Sequence, residues 1–310
     1  MMKAYKKIVL AGGNGYLGTV LAKYYKDLAD EVIILARKQA PAMDNIRTVV
    51  WDGKTENGWA VQLTHADMLI NLCGKNVNCR YTKKNKAAII ASRVIPTKLL
   101  GDVIHKMTDP PKVWINITSA TIYRHAEDHP QDEATGEIGY GFSIDVCNIW
   151  ESTFYNSQTP HTRKIALRMG IVLGRSDSVF PRLLNLVKLG MGGKQGDGRQ
   201  YLAWIHEHDV ARSTQFLLDH PEMEGVYNCT APYGEKNADF MRHIRKAYGM
   251  PIGLPAPQWL LEIGALVIGT EPELILKSRW VKPQRLLDTG FTFQYEKAEH
   301  AIHDILSIKG

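Results

Sequence analysis

The chain has 310 residues, 45% of them apolar, with a formal net charge of +6, which is enough apolar content to bury a large core and excludes a wholly disordered polypeptide. Its 38 Lys and Arg are scattered among 32 Asp and Glu rather than gathered into runs, so the basic balance suits a small anionic ligand and argues against a nucleic-acid partner. The first strand pattern starts within ten residues of Met1, no apolar stretch reaches the length of a membrane span, and Cys73, Cys79, Cys147 and Cys229 form neither a Cys-x-x-Cys pair nor a regular framework; a cytoplasmic protein with reduced thiols and no membrane partner is expected.

Residues 8–18 read Ile-Val-Leu-Ala-Gly-Gly-Asn-Gly-Tyr-Leu-Gly. A β-branched run ends in glycines, and Leu17, Leu21, Tyr24, Tyr25 and Leu28 then recur at helical spacing, predicting strand, tight turn and helix N-terminus. Gly12 can make the turn, Gly15 leaves room for a pyrophosphate, and Gly18 permits close packing, while the unpaired helix N–H groups face the anion. Glycine spacing alone is a weak signal, but at the first strand of a chain it points to a dinucleotide.

Apolar runs at 32–36, 48–51, 68–73, 112–119 and 164–173 follow as strands two to six, with helical patterns between them. That alternation predicts a parallel sheet with crossover helices, whose ligands bind at the carboxyl ends of the strands. The long helical pattern at 83–107 contains Pro96, where a kink or break is expected.

Strand two ends in Ala36 and is followed by Arg37 and Lys38. An NAD site usually carries Asp or Glu near this point for the ribose hydroxyls, whereas two cations suit a 2′-phosphate, predicting NADP(H) rather than NAD(H). A solvated loop charge is the bland alternative. Asp52, just past strand three, is placed to reach an adenine amino group, or is an ordinary turn residue.

Gly-Gly-Asn-Gly-Tyr-Leu-Gly at 12–18, Asn71-Leu-Cys-Gly74 after strand four and Ser119-Ala-Thr-Ile-Tyr123 after strand five resemble the extended short-chain dehydrogenases/reductases. A closer resemblance is to the atypical, epimerase-family subgroup: Arg80-Tyr-Thr82 stands for its Arg-Trp-Thr, Ser92-Arg93 for its Ser-Arg pair, and the string Gly190-Met-Gly-Gly-Lys-Gln-Gly-Asp-Gly-Arg-Gln-Tyr-Leu-Ala-Trp-Ile-His-Glu-His-Asp209 matches its long signature. The similarity runs essentially end to end. It implies an α/β fold, a Rossmann-type doubly wound parallel sheet with a smaller, mostly helical C-terminal substrate lobe. It also implies that Gly12, Asn14, Gly15, Tyr16, Leu17, Gly18, Leu72, Cys73, Gly74 and Arg93 hold the cofactor beside Arg37, Lys38 and Asp52.

The departures bear on catalysis. Ordinary members use Tyr-x-x-x-Lys, in which the lysine lowers the phenol pKa. Here Tyr140 is followed by Ile144. The resemblance leaves Ser119 to polarise a carbonyl and Tyr140 or Tyr123 to handle the proton, and restoring a lysine at 144 is expected to raise the rate. Cys73 replaces the usual alanine, and Lys75 stands where relatives often have Glu. Lys75, Arg199, Gln200, Trp204 and His206 are candidate substrate contacts. His206 and His208 form a His-x-His pair, but no third ligand is spaced to complete a metal site, and none is expected; Asp209 is read as the cap of the helix through Ala211.

Residues 226–229 read as a late strand, after which helical patterns at 238–248, 259–267 and 298–306 are separated by Pro- and Gly-bearing turns. The expected division is a Rossmann domain over 1–174, completed by 201–232, with a substrate lobe from 175–200 and 233–310. The function that follows is an NADP(H)-binding oxidoreductase or epimerase-like enzyme acting on a small carbonyl or sugar-nucleotide-like substrate. A catalytically weak NADP(H) sensor is the alternative. A homodimer is allowed but not indicated.

Overall fold

A computed structural model describes residues 3–259, 261, 271 and 273–307. In chain order its strands are β1 (Tyr5–Ala11), β2 (Ala29–Ala36), β3 (Ile46–Val50), β4 (Met68–Asn71), β5 (Val113–Ser119), β6 (Arg163–Met169), β7 (Ile171–Leu173), β8 (Tyr201–Leu202), β9 (Trp204–His206), β10 (Gly225–Cys229) and β11 (Glu235–Lys236). Seven of them make one sheet, ordered β10-β6-β5-β4-β1-β2-β3, with every neighbouring pair parallel. The order reverses between β1 and β4, which opens a crevice at their carboxyl ends. The predicted α/β Rossmann-type sheet is therefore observed.

Strand β1 shows how the sheet is held. Ile8 and Leu10 bury one face against Leu21 and Tyr25 of helix α1 (Tyr16–Tyr25), while Val9 and Ala11 bury the other against a cluster containing Trp114 and Phe154. A strand buried on both faces reads as a continuous apolar run. Each such side chain contributes roughly 1.5–3 kcal/mol on full burial.

Helix α2 (Lys83–Lys106) runs through Pro96 as one uninterrupted helix, so the expected break is absent. Tertiary contacts hold the turn after the proline. Thr97 is fully buried, and its hydroxyl oxygen accepts from Asn71 Nδ2 on β4 at 3.0 Å and from Trp150 Nε1 on helix α3 (Phe142–Tyr155) at 3.1 Å. Leu100, Val103 and Ile104 then close over Trp114.

The run at 164–173 is two strands, not one. It divides at Gly170, where the chain leaves the main sheet after β6 and β7 pairs with β9 instead. A Cβ at Gly170 would lie 2.7 Å from Ala203 O, so only glycine allows the approach that lets the chain change partners.

Helix α4 (Phe180–Lys188), helix α6 (Asn237–Tyr248) and the C-terminal helix Ala298–Ser307 share a separate apolar cluster that also takes in Trp204 and Ala231. Helix α5 (Glu207–Asp219) begins earlier than the sequence indicates, with His206 rather than Asp209 as its cap. Asp209 lies buried inside the first turn, where its carboxylate accepts from Gln294 N at 2.9 Å, Tyr295 N at 2.8 Å and Arg212 Nη1 at 2.8 Å. Most of the helix expected at 259–267 lies outside the described residues. Among those described, no helix is long and apolar enough to cross a membrane.

Candidate cofactor and substrate cleft

The glycine loop does what its spacing requires. Gly12 has φ +74, its N–H donates to Leu35 O at 2.8 Å, and a Cβ there would meet Cys73 Sγ at 2.8 Å. At Gly18 a Cβ would fall 2.1 Å from Gly13 O, so the close approach is of helix α1 to the turn itself. Gly15 caps α1 without a side chain and faces open space, beside the exposed Asn14. The first-turn N–H groups are thus left for an anion. The Tyr16 hydroxyl donates to Glu207 Oε2 at the start of α5, and burial followed by that carboxylate pushes its pKa far up.

A cleft of about 410 Å³ opens here, lined by Gly12, Tyr16, Leu17 and Gly18 on one side and by Leu72, Cys73, Gly74, Lys75, Arg93, Ser119 and Trp150 on the other. That is the size range of small-molecule sites. Arg93 stacks on Trp150, 5.1 Å from its ring centre, and donates to Ile89 O at 3.0 Å. Gly74 approaches it so closely that a Cβ would sit 3.3 Å from the guanidinium. Burial pushes the Cys73 thiol up to about 12 against the opposing charge of Arg37, which places Arg37 within electrostatic range of the cleft wall. Arg37 and Lys38 are exposed and form no hydrogen bond or ion pair among the described residues. Asp52 is spent on its own turn, accepting from Lys54 N at 2.8 Å and Thr55 N at 2.9 Å.

The expected catalytic set does not assemble. Ser119 lines the cleft, its hydroxyl oxygen accepting from Thr121 N at 3.2 Å. Tyr123 is buried below it, donating to Asn228 Oδ1 at 3.0 Å and accepting from Arg168 Nη1 at 2.8 Å, and Arg168 is paired with Glu151 at 2.8 Å. Tyr123 is thus committed to a buried network, and burial raises its pKa. Tyr140 is 92% exposed while Ile144 is fully buried. The cause is local: Gly141 has φ +103 and α3 starts only at Phe142, which leaves Tyr140 outside the helix.

The face of α3 turned inward carries Ser143, Cys147 and Trp150 instead, and a different phenol meets it. The Tyr81 hydroxyl lies 3.3 Å from Ser143 Oγ. Tyr81 occupies the tryptophan position of the Arg-Trp-Thr motif, and that departure is the one signal by which the sequence could have revealed it. Its half-buried ring packs edge-on against Phe142 at 4.8 Å, and burial raises its pKa.

Of the proposed substrate contacts, Lys75 lines the cleft but reaches Asn85 Oδ1 at 3.0 Å. The others lie elsewhere. Arg199 is exposed and binds Asp197 at 3.0 Å; Gln200 is buried, donating to Gln195 O at 2.9 Å; Trp204 is buried in β9. His206 is buried against the Tyr295 ring at 3.9 Å and 3.3 Å from Asp304 Oδ2, and its Nδ1 accepts from His208 N at 3.1 Å. Burial lowers its pKa to about 4. Of these, His206 ties β9 to the C-terminal segment through Asp304 and Tyr295, while β7 and β9 pair outside the main sheet, directly after the cleft residues Met169 and Gly170.

One further group escaped the sequence reading. Arg279 is only 8% exposed, yet its Nε and Nη2 have no hydrogen-bond partner among the described residues. It lies within electrostatic range of Glu273, Cys147 and Tyr81. Among the described residues, no group of three His, Cys, Asp or Glu is disposed to hold a metal.

Comparison with known proteins gives a consistent picture. The model of the NAD dependent epimerase/dehydratase family matches residues 8–230, and a domain of unknown function, DUF1731, matches residues 256–305. The mouse epimerase family protein SDR39U1 is 28% identical over 307 residues, covering 97% of this chain and 100% of the relative. The Bacillus subtilis epimerase family protein YfhF is 28% identical over 303 residues, covering 97% and 98%. The crystal structure of human epimerase family protein SDR39U1 (isoform 2) with NADPH superposes with a TM-score of 0.86 at 27% identity, covering 97% of this chain and 99% of that one.

Proposed function

The chain belongs to the NAD dependent epimerase/dehydratase family, and on that premise we propose that it is an NADP(H)-dependent oxidoreductase or epimerase-like enzyme acting on a small carbonyl or sugar-nucleotide-like compound. The observation that carries the cofactor choice is the pair Arg37 and Lys38, two exposed cations without partners among the described residues where an NAD site would put a carboxylate. The human relative crystallised with NADPH supports the same choice.

The cleft residues fit the cofactor. The open helix N-terminus at Gly15 suits the pyrophosphate, Arg37 and Lys38 the 2′-phosphate, and Leu72 to Gly74 the wall between them. Bound there, NADPH supplies a hydride. The protein's own part is to orient the carbonyl through the Ser119 hydroxyl and to supply the proton from Tyr81, whose burial keeps it protonated and whose hydroxyl is held by Ser143. The wider family's tyrosine position is out of reach at Tyr140.

The test is to add NADPH to purified protein with a panel of carbonyl compounds and nucleotide sugars, following nucleotide fluorescence and consumption. Turnover supports the enzyme. A second reading, a sensor that kept the cofactor site and lost efficient chemistry, is favoured by the exposure of Tyr140 and the burial of Ile144; it requires NADPH binding that responds to ligands without consumption.

A further inference from the structure

We propose that Arg279 is the anion-binding residue of the substrate site and that its ligand is the carboxylate of a small molecule; this rests on the enzyme reading above and narrows its substrate class. The guanidinium is 8% exposed, with Nε and Nη2 unpaired among the described residues and Nη1 aimed only at Lys277 O, 3.4 Å away. A buried cation without a partner is costly, and such a group persists where a ligand completes it. Two donors on one edge of a planar guanidinium match the two oxygens of a carboxylate.

The surroundings set the charge of that ligand. Among the described groups three cations, Arg80, Lys277 and Arg279, face the carboxylates of Glu271, 3.4 Å from Arg80, and Glu273, 3.9 Å from Lys277 and in electrostatic range of Arg279, so positive charge is in excess by one. Glu273, Cys147 and Tyr81 are in electrostatic range of Arg279, and the last two are neutral: burial raises the Tyr81 pKa and pushes the Cys147 thiol up to about 12. A monoanion balances this site, whereas a diphosphate does not.

Cys147 is in electrostatic range of both Arg279 and Arg93, and Arg93 lines the cofactor cleft. The backbone here is anchored, the Arg279 main-chain N–H donating to Tyr201 O at 2.8 Å while the Ser278 hydroxyl donates to Ala126 O at 2.6 Å.

Thermal-shift and calorimetric titrations of the full chain with pyruvate, inorganic phosphate and chloride, at constant ionic strength, test this in wild type, Arg279→Met and Arg279→Lys. The expected result has three parts. Pyruvate raises the Tm of wild type more than phosphate or chloride does. Arg279→Met raises the Tm of the ligand-free protein, since it removes an unpaired buried charge, and weakens pyruvate roughly tenfold or more. Arg279→Lys folds, keeps the charge and still loses most of the pyruvate preference, because it lacks the fork. NADPH affinity is measured on the same samples and stays unchanged, which separates failure of this proposal from failure of the cofactor reading. Equal responses to all three anions in wild type, a phosphate preference, or a pyruvate response indifferent to both substitutions would overturn it.

Discussion

The hydroxyl of Tyr81, from the loop before α2, meets the hydroxyl of Ser143, in the first turn of α3, at 3.3 Å. The two come from segments 62 residues apart and together put a phenol at the start of α3, the helix whose Trp150 lines the cofactor cleft. Tyr81→Phe is expected to lower the rate of NADPH consumption by roughly 10²-fold, the range for loss of a positioned acid, with NADPH affinity changed by less than about twofold. Ser143→Ala acts only through the phenol and costs less. Steady-state rates with any substrate found in the panel check both, and an unchanged rate in Tyr81→Phe would remove the phenol from the mechanism.

Ile144→Lys is expected to damage the protein rather than to rebuild a catalytic pair. Ile144 is fully buried and Tyr140 is out in solvent, so a lysine there meets apolar neighbours and no phenol. The cost is about 3 kcal/mol or more, read as a lower urea midpoint with no gain in rate. A faster enzyme of undiminished stability would show that the α3 register differs from the one described here.

Much of the fold is legible in the sequence because it is local. The β1 run, the glycine turn and the α1 stripe each follow from spacing within a few residues. What is not legible depends on distant partners. Pro96 is a helix breaker by propensity, yet Thr97 is gripped from β4 and α3. The run at 164–173 looks like one strand because nothing near it reveals that β7 pairs with β9. Tyr140 stands in solvent because Gly141 takes a positive φ and α3 starts only after it. Arg279 looks like any surface arginine until β8 and the segment after Lys277 are brought together.

Acid should destabilise the protein through His206. Burial holds its pKa near 4, below the ordinary value of 6.5, so the unfolded chain takes up a proton that the native state refuses. Stability from this group is fully present above about pH 6.5 and is lost as pH falls toward about 4. His206→Asn, which can keep the cap on α5, should flatten the fall in Tm across that window. An equally steep fall in the variant would move the cause to other groups.

The central claim, that Arg37 and Lys38 make this an NADP(H) site, is tested most directly by titrating NADPH and NADH against wild type and Arg37→Ala by nucleotide fluorescence. The account predicts that wild type prefers NADPH and that Arg37→Ala weakens NADPH roughly tenfold, the lower end for a charge-assisted pair since the side chain is exposed and screened, while NADH binding hardly changes. A ratio of the two dissociation constants that is the same in both proteins would contradict it.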